Sequence, residues 1–297
     1  MCAAVLGAEP AGQLACVAGT EQEDRRVELV DLATGAVTPV GPGAHDGAPA
    51  WSPDGQWLAF PTAGPGGMRI RVMRADGSET REIPHKHPWN DVPRWSPDGR
   101  LLAYTGAKEA DNIRPESLAG AASVMVYDME ANTEEAWGTD TVSLYRPVWM
   151  NAGTVIAIGV IPGEKRLSSD IFIVTPSAVN PLPAIAMPSA GQYVEWAAEV
   201  NVRENLLAYE SNDGGDREVF VLSFKRGSTD VSNHRAADWN PVWQPAGLWL
   251  AFESFRSGRR GIYRVFPNTI RVVPVAVAAE YDNWHPAWSP DGAFLAY

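Results

Sequence analysis

The chain lacks most of the features that would quickly disclose a function. Its 297 residues include two cysteines, Cys2 and Cys16, too few for a disulfide framework. Cys16 lies in an apolar, strand-like run and is expected to be a small buried hydrophobe; a Cys2–Cys16 bridge is the alternative. Positive charge is scarce: 24 Lys and Arg stand against 36 Asp and Glu, a formal net charge of −12. Such a surface repels phosphate backbones and anionic headgroups, so no nucleic acid is expected as a partner. No apolar run approaches the roughly 18 residues that a bilayer crossing needs, so membrane insertion is not expected either. The start, MCAAVLGAEPAGQLACVAG, has no basic stretch and no long apolar centre, and does not read as a signal peptide. No long segment repeats its apolar residues at helical spacing between recognisable caps. The nucleophile elbow G-x-S-x-G is missing, so no catalytic residue is assigned.

What is present is turn residues, indoles and repetition. The chain holds 27 Gly, 24 Pro and 12 Trp, and that many large rings require a big core or a binding surface. The decapeptide WSPDGQWLAF begins at Trp51, WSPDGRLLAY at Trp95, and WSPDGAFLAY ends the chain at Tyr297. Aligned on the Leu-Ala-aromatic triplet, further copies centre on Ala15, Ala157, Ala208 and Ala251. The alanines are 44, 44, 54, 51, 43 and 45 residues apart. Trp51, Trp95, Trp149, Trp243 and Trp288 each precede their alanine by 8 residues. Trp196 precedes Ala208 by 12, which suggests about four extra residues in that unit; the first unit has AEPAG in place of WSPDG.

Each unit also carries a run rich in β-branched and aromatic residues, such as VELVDL, VMVYDME or VFVLSF, bounded by Gly, Asp or Pro. Such runs read as strands. With the shorter runs around them they give about four strands per unit. In SPDG, Pro presets φ, Asp tolerates the turn, and Gly takes the left-handed position. The recurring Ala is expected where sheets crowd, with Leu and the aromatic on the opposite face. The tryptophan is expected to anchor one sheet to the next. Repetition of four antiparallel strands at this period predicts an all-β fold, a β-propeller of four-stranded antiparallel blades. Six blades are expected, with seven as the alternative. One domain spans 1–297, with repeat units near 1–44, 45–88, 89–143, 144–190, 191–237 and 238–282 and a partial closing unit 283–297.

The segments NDVPRWSPDGRLLAY, DWNPVWQPAGLWLAFES and DNWHPAWSPDGAFLAY follow D-x-x-P-x-W-S-P-D-G-x-x-L-A-aromatic. This pattern resembles the TolB-like propeller repeats, which also occur in the propeller domains of prolyl-oligopeptidase-type peptidases. The loops ESNDGGDREVFVLS and ESFRSGRRGIYRVF match the family's Gly-rich turn and following strand. The resemblance covers nearly the whole chain. It implies interaction proteins, peptidase gating domains or sugar-acid lyases as functional classes, and the periplasm or cell envelope as a location.

On a propeller, the residues leading into each tryptophan are expected to ring one mouth of the central channel. They read HDGAPAW, HPWNDVPRW, VSLYRPVW, AGQYVEW, AADWNPVW and YDNWHPAW. Rings recur there at Trp89, Tyr145, Tyr193, Trp239 and Trp284, beside the polar Asp46, Asp91, Arg146, Asn240 and His285. An amphipathic rim of this kind suits a protein or peptide segment; packing beneath neighbouring loops is the other role for such rings. His45, His85, His87 and His285 sit at different offsets from their tryptophans, so no metal site is expected, and no cofactor motif is present. The acidic turn Asn212–Asp216 lacks EF-hand spacing. The polar stretch 108–120 reads as a protruding loop. The expectation is a monomeric, non-enzymatic propeller that binds a protein or peptide at the channel mouth. The alternatives are a carbohydrate-active or metal-dependent lyase or hydrolase using the same channel, or a propeller module of a larger envelope protein.

Overall fold

The structure is a computed structural model that describes residues 13–18, 25–31, 33–40, 45–109, 122–139, 141–160, 169–182, 195–213, 215–245, 247, 249–280, 282–283, 285–288, 292 and 295–297. Tyr193, Trp284, the AEPAG segment, Cys2 and most of the 108–120 stretch lie outside these residues.

The described chain is all-β, in antiparallel meanders whose strands pair in the order they are made. The first sheet holds β1 (Gln13–Ala18), β2 (Arg26–Asp31) and β3 (Val37–Pro39). The second holds β4 (Ala50–Trp51), β5 (Trp57–Gly64), β6 (Gly67–Arg74) and β7 (Thr80–Glu82). The third holds β8 (Trp89–Trp95), β9 (Leu101–Ala107), β10 (Ala122–Asp128) and β11 (Thr133–Trp137). The fourth is β12 (Ser143–Asn151), β13 (Thr154–Val160), β14 (Asp170–Thr175) and β15 (Ala178–Pro181). The fifth is β16 (Glu195–Asn201), β17 (Leu206–Ser211), β18 (Glu218–Ser223) and β19 (Gly227–Asp230). The sixth is β20 (Asp238–Trp243), β21 (Leu250–Ser254), β22 (Gly261–Phe266) and β23 (Arg271–Ala276). A two-stranded sheet of β24 (Ala287–Trp288) and β25 (Leu295–Ala296) follows. These are six blades of a β-propeller, the first with three strands among the described residues.

Contacts divide the chain into two compact units. The described residues up to 160, with 173–180, form the first; 169–172 and those from 181 onward form the second.

Within each unit the repeat explains the packing between blades. In the first unit, Ala59 of the second blade meets Trp95, Leu102 and Tyr104 of the third. In the second, Ala208 meets Leu250 and Phe252, with Trp243 packed alongside. The triplet's alanine thus faces the following blade, while its Leu and aromatic face the preceding one. Complete burial of Leu58, Leu102 and Leu250 is worth about 1.5–3 kcal/mol each. The anchor tryptophans go further. The indole N–H of Trp95 donates to the Ala50 carbonyl at 3.0 Å, and that of Trp243 to the Glu199 carbonyl at 3.0 Å.

Two readings change at this level. The anchor place in β16 belongs to Val200, opposite Leu207 as Trp243 is opposite Leu250. Trp196 is therefore not a displaced anchor, and no four-residue insertion separates it from its triplet. It stands where Trp239 stands in the next blade. Cys16, half-buried on β1, is disulfide-bonded rather than a free buried thiol.

The SPDG turn is also tighter than its Pro, Asp and Gly alone require. The Ser52 hydroxyl donates to Asp54 Oδ1 at 2.5 Å and accepts the Trp57 N–H at 2.9 Å, and Gly55 has φ +69°. Ser96, Asp98 and Leu101 repeat the arrangement.

Candidate functional site

The tryptophan-leading segments form the bulged starts of the first strands. Register slips separate Asp91 from Arg94, Tyr145 from Val148, Glu195 from Ala198 and Trp239 from Val242. A bulge re-aims side chains and interrupts the ladder. The residue three before the tryptophan, always followed by Pro, has left-handed φ in four repeats: Val92 (+55°), Arg146 (+50°), Asn240 (+48°) and His285 (+51°). Residues before proline normally stay extended, and a β-branched Val at positive φ is costly. Such strain persists only where the surroundings enforce it.

The enforcing partners are side chains that capture the turned backbone N–H. The Val92 N–H donates to its neighbour Asp91 Oδ1 at 2.8 Å, and the Arg146 N–H to Thr105 Oγ1 at 2.9 Å. The Asn240 N–H donates to Glu210 Oε1 at 2.6 Å, and the His285 N–H to Glu253 Oε1 at 2.7 Å. Thr105, Glu210 and Glu253 all directly follow the aromatic of a triplet.

In the first unit the segments are largely consumed by packing. Tyr145 is completely buried and shares a cluster with Trp89, Ala107, Ala122 and Val160. Asp46 is buried, and its Oδ2 accepts the Val27 N–H at 3.1 Å. Tyr145 and Asp46 therefore offer a partner no surface, contrary to the rim reading. Asp91 and Arg146 remain half-buried and meet around Thr105.

In the second unit rings at these positions form a ladder with guanidinium groups that stand just before β18 and β22. Arg217 lies 4.3 Å over Trp196 and 5.3 Å over Trp239, and Arg260 lies 4.8 Å over Trp239. Phe255 meets Trp239 edge-on at 5.4 Å between ring centres. Arg217 grips the buried Glu210 through Nε and Nη2, and Arg260 Nη1 lies 3.4 Å from the buried Glu253. Asn240 Nδ2 donates to Glu253 Oε1 at 2.7 Å, the same oxygen that takes the His285 N–H. Trp239, Asn240 and His285 are thus brought together. Stacked cation–π contacts of this kind are worth about 0.5–2 kcal/mol each. Sequence reading missed Trp196, Glu210, Arg217, Glu253 and Arg260. The signal was available: Glu follows the triplet only in LAYES and LAFES, and Arg stands 7 residues further on in both.

Behind the ladder lie carboxyl groups that burial makes reluctant to ionise. Glu195 is pushed up to about 8, chiefly by burial and next by Asp170. Glu218 and Asp238 are also raised by burial. Arg256 Nη2 lies 3.0 Å from Asp238 Oδ2 and holds the negative charge there, which leaves the proton on Glu218. All three side chains are buried.

Among the described residues no group of three or more His, Cys, Asp and Glu side chains could hold an ion. His85 accepts the Ile70 N–H on Nε2 at 2.9 Å, and its Nδ1 lies 3.8 Å from Glu134 Oε1.

No family model matches the chain, and no curated protein matches it by sequence. Solved structures do. TolB from Acinetobacter baumannii superposes with a TM-score of 0.60 at 15% identity, over 96% of this chain and 63% of that one. A puromycin-hydrolyzing peptidase from Mycobacterium tuberculosis gives 0.66 at 17%, over 92% of this chain and 45% of that one. An oligogalacturonate lyase in complex with manganese gives 0.65 at 14%, over 96% of this chain and 78% of that one. The chain spans under two thirds of that TolB and under half of that peptidase. The fold is therefore the β-propeller that TolB shares with the propeller domains of peptidases, as the WSPDG repeats implied. These neighbours include both enzymes and TolB proteins.

Proposed function

We propose that this propeller is a non-enzymatic binding module that takes a protein or peptide segment on the bulged strand starts of its second unit. The observation that carries this reading is the ladder Trp196–Arg217–Trp239–Arg260, whose members are half-buried rather than sealed. Rings and guanidinium groups are the side chains that dominate binding energy at protein interfaces. The bulges fix the rings, and Glu210 and Glu253 fix the guanidinium groups, so little side-chain entropy remains to be lost on binding. Asn240 and His285 supply polar groups at one edge.

The test is selection of a random-peptide phage library on the purified protein. Convergent peptide families are expected on the native protein. Trp239→Ala should weaken their binding by about 30-fold, the scale of a hot-spot ring, with a native-like thermal transition retained. Failure to enrich any family, or families that bind Trp239→Ala equally well, would overturn the reading. Turnover of acidic oligosaccharides that Trp239→Ala abolishes would favour an enzyme in its place.

A further inference from the structure

A cleft lies in the second unit, at the other ends of β16 and β20 from the ladder. It encloses about 480 Å³ between the last residues of these strands and the turns that follow them. Its apolar walls are Val200, Val202, Val242 and Trp243, with Val202 exposed at the surface. It shares no residue with the ladder.

The residue that follows the anchor place decides what this cleft offers. In the repeats at Trp51 and Trp95 that residue is Ser, whose hydroxyl is spent inside its own turn, on an Asp and on a backbone N–H. Here Asn201 and Gln244 hold the place, and each uses half of its amide. Asn201 Oδ1 accepts the Glu204 N–H at 3.0 Å, while its Nδ2 is buried without a hydrogen-bond partner among the described residues. Gln244 Nε2 donates to the Gly292 carbonyl at 2.7 Å, while its Oε1 is buried without such a partner. The Asn201 residue is 5% exposed. Gly247, with φ +76°, leaves the Asn201 nitrogen uncovered, since a Cβ there would stand 3.1 Å from it. An unpaired buried polar atom is costly. One donor and one acceptor left over on two walls of one cleft match a ligand that carries the opposite pair. The ionisable walls, Glu199 and Arg203, are of opposite sign, and Glu204 stands beside the Gly247 turn. No positive charge is in excess, so the matching ligand is uncharged.

We propose that this cleft binds a neutral secondary amide borne on an apolar group. The ligand's carbonyl accepts from Asn201 Nδ2, its N–H donates to Gln244 Oε1, and its apolar group lies against Val202 and Trp243.

The test follows the side-chain amide resonances of Asn201 and Gln244 while the full chain is titrated separately with N-benzylacetamide, benzyl acetate and N-acetylphenylalanine N-methylamide. Saturable shifts of both side chains are expected with N-benzylacetamide. Benzyl acetate keeps the carbonyl and the ring but has no N–H for Gln244, so it should bind at least about tenfold more weakly. The capped phenylalanine sorts the source of the amide: tighter binding than N-benzylacetamide assigns it to a polypeptide, weaker binding to a free small molecule, and both support the site. Asn201→Ser and Gln244→Ser install the residue that the turns after Trp51 and Trp95 carry. Each should weaken binding by about tenfold, read on the amide that remains, with the thermal transition retained. Arg81→Gln, in the first unit, should leave binding unchanged. No saturable shift, equal binding of benzyl acetate, or undiminished binding by Asn201→Ser would each overturn the proposal.

Discussion

The indole N–H of Trp149 donates to the backbone carbonyl of Arg94 at 2.8 Å, across the gap between the third and fourth blades. Arg94 is the residue just before the anchor Trp95, and the same link recurs from Trp95 to Ala50, from Trp243 to Glu199 and from Trp288 to Val242. Each of these four anchors is thus seated on the strand that carries the anchor place before it.

Separating the ring from its hydrogen bond at Trp149 gives a graded expectation. Trp149→Phe keeps most of the buried surface and loses the donor, so it should cost about 1 kcal/mol. Trp149→Ala also leaves a cavity and should cost about 3–5 kcal/mol. Urea unfolding of both variants measures the difference. Equal losses would mean that the indole's bulk contributes nothing.

Glu195 predicts how stability varies with pH. Its carboxyl is pushed up to about 8 in the folded protein against an ordinary 4.5. The folded state therefore holds a proton that the unfolded state has released across this interval, and stability falls as pH rises from about 4.5 to about 8. One such group contributes a slope of at most about 1.4 kcal/mol per pH unit. Glu218, raised in the same direction, adds to it. Glu195→Gln should flatten the dependence of the urea midpoint on pH between 5 and 8. The lowered Asp54 and Asp98 act in the opposite sense and below pH 4, outside that window.

Arg217 and Glu210 should behave as one unit. Glu210 is fully buried, and Arg217 satisfies it while filling the space between two indoles. Arg217→Gln alone leaves a buried charge without its partner and should cost about 3–5 kcal/mol. The double variant Glu210→Gln with Arg217→Gln should recover a large part of that loss. A thermal double-mutant cycle reads the coupling directly, and additive losses would show that the two do not act together.

The blades were legible because the residues that define them obey short-range rules. Pro, Asp and Gly at fixed places spell a turn, and alternation around Leu-Ala-aromatic spells a strand with two different faces. The bulges were not legible. Nothing in YRP or WNP says that the residue before proline turns left-handed; its N–H is captured by a Thr or Glu about 30–40 residues away in sequence, from another blade. The same non-local geometry hid the role of Trp196. Counting from its alanine made it a displaced anchor, whereas pairing of Val200 with Leu207 makes it the partner of Arg217. Asp46 and Tyr145 looked like rim residues because burial is decided by the neighbouring blade rather than by their own strand.

The left-handed kink before the proline in four repeats has a consequence for how such a protein can change. It uncouples the first few residues of a strand from the ladder that fixes the rest, so the two halves answer to different demands. The position four before the anchor place already holds Gly47, Asp91, Tyr145, Trp196 and Trp239 within a single chain, while over those five units the anchor departs from tryptophan at Val200 alone. Side chains can therefore diversify at one end of a strand while the architecture is inherited unchanged through the other.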